Sequence, residues 1–144
     1  MNPFILETIL DGDAFVSTLL PMLHPHTILA LSGPLGAGKT TCVQALARAL
    51  GISRIPTSPT FSLVRTYPVK HHPSIKKLIH VDAYRIEYEE DIRVLGLEEL
   101  LLEEGTLLCL EWPENVAKWL EQQSNVVRIQ IALASDGRRI LVQS

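Results

Sequence analysis

The run Gly33-Pro34-Leu35-Gly36-Ala37-Gly38-Lys39-Thr40 constrains this chain more than any other stretch, because it fits the phosphate-binding pattern G-x-x-x-x-G-K-[ST] at every fixed position. The pattern carries structural meaning only between a buried strand and a helix. Both flanks read that way: residues 27–32 are a short apolar run of strand type, and residues 41–50 carry helical apolar spacing. The glycines let successive backbone N–H groups curl around a triphosphate. Lys39 then reaches the outer phosphates, and the Thr40 hydroxyl takes one octahedral position on Mg²⁺. Pro34 fixes one backbone dihedral and removes one N–H, but it occupies a variable position of the pattern. The first expectation is a nucleoside triphosphate site.

At 144 residues and 47% hydrophobic, the chain is long enough for one compact core and too short for two catalytic domains. A single domain over residues 1–144 is expected. No window approaches the roughly twenty apolar residues of a membrane span, and Met1-Asn2-Pro3-Phe4 lacks the basic start of a secretory signal. A soluble, cytoplasmic protein follows as an expectation. The net charge of −3 argues against a protein that coats nucleic acid. Cys42 and Cys109 read as small core residues rather than a disulfide or metal pair. Lys70-His71-His72 with Lys76-Lys77 reads as a solvated loop, since paired histidines lack a third ligand nearby.

Further along, residues 4–8 suggest a strand, and Asp11 or Asp13 can cap a helix carrying Phe15, Val16, Leu19, Leu20 and Leu23, with Pro21 bending or stopping it. Gly51 suits the end of the phosphate-loop helix. A stiff connection, Pro56 to Thr60, leads to an alternating strand over 61–67. Two buried strands, Lys77–Asp82 and Thr106–Glu111, each finish on an acid. Between them lies an acidic, leucine-rich stretch that Gly96 divides into two short helices. Pro113 suits the first turn of a helix with Val116, Trp119 and Leu120. Residues 125–134 and 138–142 around Asp136-Gly137 read as a closing hairpin with a type I′ turn.

In an open α/β sheet, ligands bind beyond the carboxyl ends of the strands. Asp82 and Glu111 therefore stand where a metal and a terminal phosphate would lie, although acids are also common at exposed strand ends. A hydrolase of this kind needs one carboxylate for the metal and a group to orient water. Trp112 follows Glu111 directly, so its indole either flanks that site or packs into the core. Thr60 is placed like a switch threonine that senses a γ-phosphate.

Taken together, Gly33 to Thr41, Ser58-Pro59-Thr60-Phe61-Ser62-Leu63-Val64, His80-Val81-Asp82-Ala83-Tyr84-Arg85, Leu95-Gly96-Leu97-Glu98-Glu99 and Glu111-Trp112-Pro113-Glu114 resemble the TsaE family, the bacterial ATPases of tRNA threonylcarbamoyladenosine (t6A) biosynthesis. The likeness runs in order from the phosphate loop to the Glu-Trp-Pro segment. It implies a three-layer P-loop NTPase fold, here with a mostly parallel sheet and a C-terminal antiparallel hairpin. It also implies a cytoplasmic, Mg²⁺-dependent ATPase that joins a threonylcarbamoyl-transferase complex of TsaD and TsaB type subunits and supports modification of adenosine 37. The transfer chemistry then belongs to the partner, tRNA contact is indirect, and no membrane is involved. By that likeness Lys39 and Thr40 serve phosphate and metal within a nucleotide-binding run from Gly33 to Thr41. Thr60 lies in a switch-like loop, Asp82 and Glu111 are the essential acids, and Trp112 sits beside the nucleotide. Pro34 stands where an acidic residue is common, and Ala83 where a leucine is common.

Two other functions fit the loop. A small P-loop metabolite kinase shares it, but neither 51–60 nor 87–104 makes an obvious arginine-bearing lid. A nucleotide-gated binding module would use ATP only to set shape. A GTPase fits less well, since no Asn-Lys-x-Asp signature is present. Lys39 is expected to be exposed in the nucleotide-free protein.

Overall fold

A computed structural model describes residues 4–6, 9–54, 64–133, 135 and 139–143. In chain order these form β1 (Phe4–Leu6), α1 (Ile9–Leu19), β2 (Ile28–Ser32), α2 (Lys39–Ala49), β3 (Val64–Pro68), β4 (Lys77–Asp82), α3 (Leu97–Leu102), β5 (Thr106–Glu111), α4 (Ala117–Glu121), β6 (Val126–Leu133) and β7 (Arg139–Gln143). Short 3-10 turns cover Leu20–Met22, Glu89–Leu95 and Pro113–Val116. The strands make one seven-stranded sheet in the order β1-β7-β6-β2-β5-β4-β3.

The centre of that sheet is parallel: β2 pairs with both β5 and β6, and β4 pairs with β5. Its edges are antiparallel, β3 on β4 at one side and β7 on β6 with β1 on β7 at the other. The connections explain this division. Parallel neighbours need a crossover of a dozen or more residues, which the helical segments supply, whereas the short link from β3 to β4 permits only antiparallel pairing. The Asp136-Gly137 turn between β6 and β7 lies outside the described residues, as does the connection from Pro56 to Thr60 with the start of the strand expected over 61–67.

Alternation along the strands builds two cores. Leu29, Leu31, Leu78, Leu107, Cys109, Ile129 and Ile131 face Phe15, Val16 and Leu19 of α1 and Val43 and Leu46 of α2. Ile28, Ala30, Ile79, Val81, Leu108 and Leu110 face the opposite way, onto Ile92, Leu97, Val116, Trp119 and Leu120. The central strands are buried on both faces, which is why they read as continuous apolar runs rather than alternating ones. Both cysteines are buried and free. Truncating a residue such as Leu108, fully buried between layers, costs about 2–5 kcal/mol by the usual cavity penalty.

Two sequence expectations change in detail, the cap of the first helix and the type of the piece before Gly96. Helix α1 begins at Ile9, so Asp11 and Asp13 are helical residues and neither is the cap. A short helix owes its stability to packing of its apolar face, so a capping residue need not set its start. The expected stop at Pro21 is found: α1 ends at Leu19, and Pro21 sits in the first turn of a separate 3-10 segment. Gly96 does separate two helical pieces, but the first, Glu89–Leu95, is 3-10 rather than α. His72 is a turn residue, its Nδ1 accepting from the Ser74 and Ile75 amides at 3.1 and 2.9 Å. No described helix is long and apolar enough to cross a membrane.

Candidate nucleotide site

The loop joining β2 to α2 is built by positions only glycine fills well. Gly38 precedes the helix with φ 104° and no side-chain cap, leaving the first-turn amides of α2 without a side-chain acceptor. At Gly33 (φ 153°) a Cβ would stand 2.5 Å from the Ile131 carbonyl of β6. Ala37 donates its amide to the Pro34 carbonyl at 3.0 Å, closing the loop on itself. Pro34 thus contributes an acceptor in place of the donor it lacks.

Lys39 departs from the sequence expectation: it is 5% exposed rather than open to solvent. Its Nζ donates to the Gly33 carbonyl at 2.6 Å and to the Pro34 carbonyl at 3.0 Å. The ammonium also lies 4.1 Å from the centroid of the Trp112 ring, a cation–π distance. Burial pushes its pKa below the ordinary value, against the opposing pull of Glu111, then Glu114 and Asp82. Nearby, Leu35 is 73% exposed at the loop tip, and Thr41 is exposed on α2.

The acids meet because of register. Asp82 and Glu111 are paired positions on the parallel strands β4 and β5. The two-residue period places His80 on the same side as Asp82, and Cys109 on the same side as Glu111, the side that α2 covers. Thr40 Oγ1 lies 3.1 Å from Glu111 Oε1 and 3.1 Å from Oε2. His80 Nε2 lies 2.5 Å from Glu111 Oε2. Glu111 is 3% exposed, and its charge reaches further: the Cys42 thiol is pushed up to about 12, by burial first and by Glu111 second. The Asp82 Oδ1 accepts the Tyr84 amide at 3.0 Å, which fixes the turn after β4.

Trp112 takes up the left-handed conformation, φ 59° and ψ 53°. This reverses the chain after β5 and lets the indole both pack against the second core and cover Lys39. The two sequence alternatives for Trp112 are therefore combined in one residue. Tyr84 stacks obliquely on it, centroids 4.9 Å apart and planes at 43°. Asn115 ties the two strand ends together, its Nδ2 donating to the Ala83 carbonyl at 2.9 Å and its amide to the Trp112 carbonyl at 3.1 Å. Thr60 lies outside the described residues.

The arrangement thus brings together Lys39, Thr40, Asp82, Glu111 and Trp112 from three separate sequence motifs. Sequence reasoning passed over His80. Its signal was present: a histidine two residues before Asp82 in an otherwise apolar strand must share that acid's face. Thr40 and Glu111 offer hard oxygen donors of the type Mg²⁺ takes. Among the described residues, no group of three or more His, Cys, Asp or Glu side chains is arranged to hold a metal alone.

A glycine-rich loop between a parallel strand and a helix, with acids ending the neighbouring strands, defines a P-loop nucleotide-binding protein. The family model for threonylcarbamoyl adenosine biosynthesis protein TsaE matches residues 7–140, and the chain belongs to that family. The tRNA threonylcarbamoyladenosine biosynthesis protein TsaE of Bacillus subtilis is 38% identical over 113 residues, 78% of this chain. The chain spans only 65% of that protein's length. The protein of the same name from Rickettsia bellii is 32% identical over 93% of this chain and 91% of its own. That from Treponema pallidum is 38% identical over 82% of each. Among solved structures, Bacillus subtilis YdiB superposes with a TM-score of 0.72 at 28% identity, covering 99% of this chain and 84% of that one.

Proposed function

We propose that this chain is a Mg²⁺-dependent ATPase that supports t6A formation at position 37 of tRNA by binding and resetting a threonylcarbamoyl-transferase complex. The observation that carries this reading is the convergence of Thr40 on the Glu111 carboxylate at 3.1 Å, beside Asp82 and one residue from Lys39. Membership of a family named for this biosynthesis supplies the biological setting.

In this reading Lys39 exchanges the Gly33 and Pro34 carbonyls for β- and γ-phosphate oxygens. Thr40 and Glu111 would hold Mg²⁺, Glu111 directly or through water, and Asp82 would support the metal or orient the attacking water. The donor set fits, since a hydroxyl that gives its proton to a carboxylate keeps its lone pairs for a cation. When bound, the ion supplies neutralisation of charge on the β- and γ-oxygens. Trp112 forms a wall beside the phosphates. The switch-like part belongs to Thr60, and the partners are TsaD and TsaB type subunits, with tRNA reached through them.

Stimulation by the partner is the decisive property. Positive charge placed at the γ-phosphate by a partner raises turnover by about 10³ to 10⁵ in related systems. Hydrolysis is to be measured for the protein alone, with the cognate transferase pair, and with tRNA added. Slow turnover alone and a large rise with the pair are expected. Full-speed hydrolysis by the lone protein, unchanged by the pair, would reject the coupling. Transfer of the γ-phosphate to a nucleoside or small acid would replace it with the kinase reading.

A further inference from the structure

We infer that His80 is a positioning residue that selects which oxygen of Glu111 faces the metal, an inference that rests on the Mg²⁺ reading of Thr40 and Glu111. His80 is fully buried on β4. A strand covered on both faces is served most cheaply by an aliphatic residue, because an imidazole loses water there and must regain a hydrogen bond. His80 regains one bond, to Glu111 Oε2 at 2.5 Å.

The carboxylate shows what this bond does. Oε2 has two neighbours, His80 Nε2 and Thr40 Oγ1, whereas Oε1 has only Thr40 among the described residues. The terminal torsion of a glutamate is broad and nearly two-fold, so Thr40, equidistant from both oxygens, cannot choose between them. The imidazole can. It pins Oε2 and leaves the unshared lone pairs of Oε1 for a cation or its water. The second ring nitrogen, Nδ1, is buried with no hydrogen-bond partner among the described residues. An ionised carboxylate only accepts, so the ring nitrogen that faces Glu111, Nε2, carries a proton and donates it to Oε2. The same pattern, a ring N–H held against a carboxylate next to a metal, is how outer partners orient ligands, and losing such a partner typically costs 10- to 100-fold in metal affinity.

The test compares wild type with His80→Leu, which keeps the volume without the donor, and His80→Gln, whose amide N–H extends toward the same oxygen. Calorimetry measures the affinity for a non-hydrolysable ATP analogue in EDTA and across a Mg²⁺ titration. The Leu variant is expected to need roughly 10- to 100-fold more Mg²⁺ with its EDTA affinity unchanged, and the Gln variant to recover most of the difference. A folded Leu variant with the wild-type Mg²⁺ midpoint overturns the inference, as does a Gln variant no better than Leu. Should Leu not fold, nitrogen-detected NMR of the wild-type ring decides. A proton retained on Nε2 in the Mg²⁺–nucleotide complex supports the role, and its absence rejects it. Wild-type affinity that ignores Mg²⁺ altogether would instead fail the metal reading itself and remove this inference with it.

Discussion

Replacing Lys39 by methionine separates the two jobs of that side chain. In the nucleotide-free protein the ammonium is 5% exposed and held by two backbone carbonyls and the Trp112 face. Its pKa is nonetheless lowered, with burial the largest cause, so the fold stabilises the charge less well than water does. Methionine keeps the reach and the helix propensity without the charge. Stability at neutral pH should therefore stay within about 2 kcal/mol of wild type, because relief of the buried charge is offset by the two carbonyl hydrogen bonds that methionine cannot make. The sign with pH follows. A base with a lowered folded pKa is most costly at low pH, and the cost lifts as pH rises from the folded value toward 10.5. Wild type should gain on the variant across that interval. Nucleotide binding behaves differently. Taking about 1.5–3 kcal/mol for each of two charged phosphate contacts and about 1 for each carbonyl given up, the variant loses about 1–4 kcal/mol, roughly 5- to 1000-fold in affinity. Urea unfolding at several pH values and calorimetry with Mg-ATP measure both quantities. Unchanged ATP affinity would refute the phosphate role, and a loss of several kcal/mol in stability would show that the lysine mainly holds the loop together.

Glu111→Gln should raise the Mg²⁺ needed for turnover by at least as much as the loss of His80, about 100-fold or more, whereas Asp82→Asn should lower turnover with less effect on nucleotide affinity; steady-state kinetics with both variants at wild-type levels would misplace the site. Gly33→Ala should destabilise by about 2–4 kcal/mol, because its Cβ would meet the Ile131 carbonyl at 2.5 Å. Gly36→Ala, with nothing within 4 Å of an added Cβ, should cost only about 1–2 kcal/mol of backbone strain; equal losses in urea unfolding would contradict this close approach. Trp112 emission should shift when Mg-ATP draws Lys39 from its ring, while Trp119, 4% exposed, stays silent. A response kept in Trp112→Phe and lost in Trp119→Phe would reverse that assignment.

Much of the site is legible before any folding is considered, because its chemistry is carried by local pattern. The run from Gly33 to Thr40 prescribes a strand, a turn and a helix within hydrogen-bonding range of one another, and the apolar runs ending on Asp82 and Glu111 are short enough to be strands and continuous enough to be central ones. The closing antiparallel pair is suggested by two apolar segments flanking Asp-Gly. The edges were less readable. Nothing local in Val64–Pro68 states that it runs against β4, since direction depends on the length and path of a connection rather than on side-chain period.

The amino-acid sequence by itself determined the elements, the two-faced burial of the central strands and the residue types available for phosphate and metal, since these follow from interactions over a few residues. Tertiary structure decided which of them meet. Parallel register set Asp82 beside Glu111, and α2 packing on that same face brought Thr40 to within 3.1 Å of the acid. The left-handed turn at Trp112 laid an indole over Lys39, and burial turned an expected surface lysine into an enclosed one. His80 became a neighbour of Glu111 only through the pairing of β4 with β5, 31 residues away along the chain. Distances of that kind are governed by the sheet's hydrogen-bond ladder and by packing between layers, and no short-range pattern encodes them.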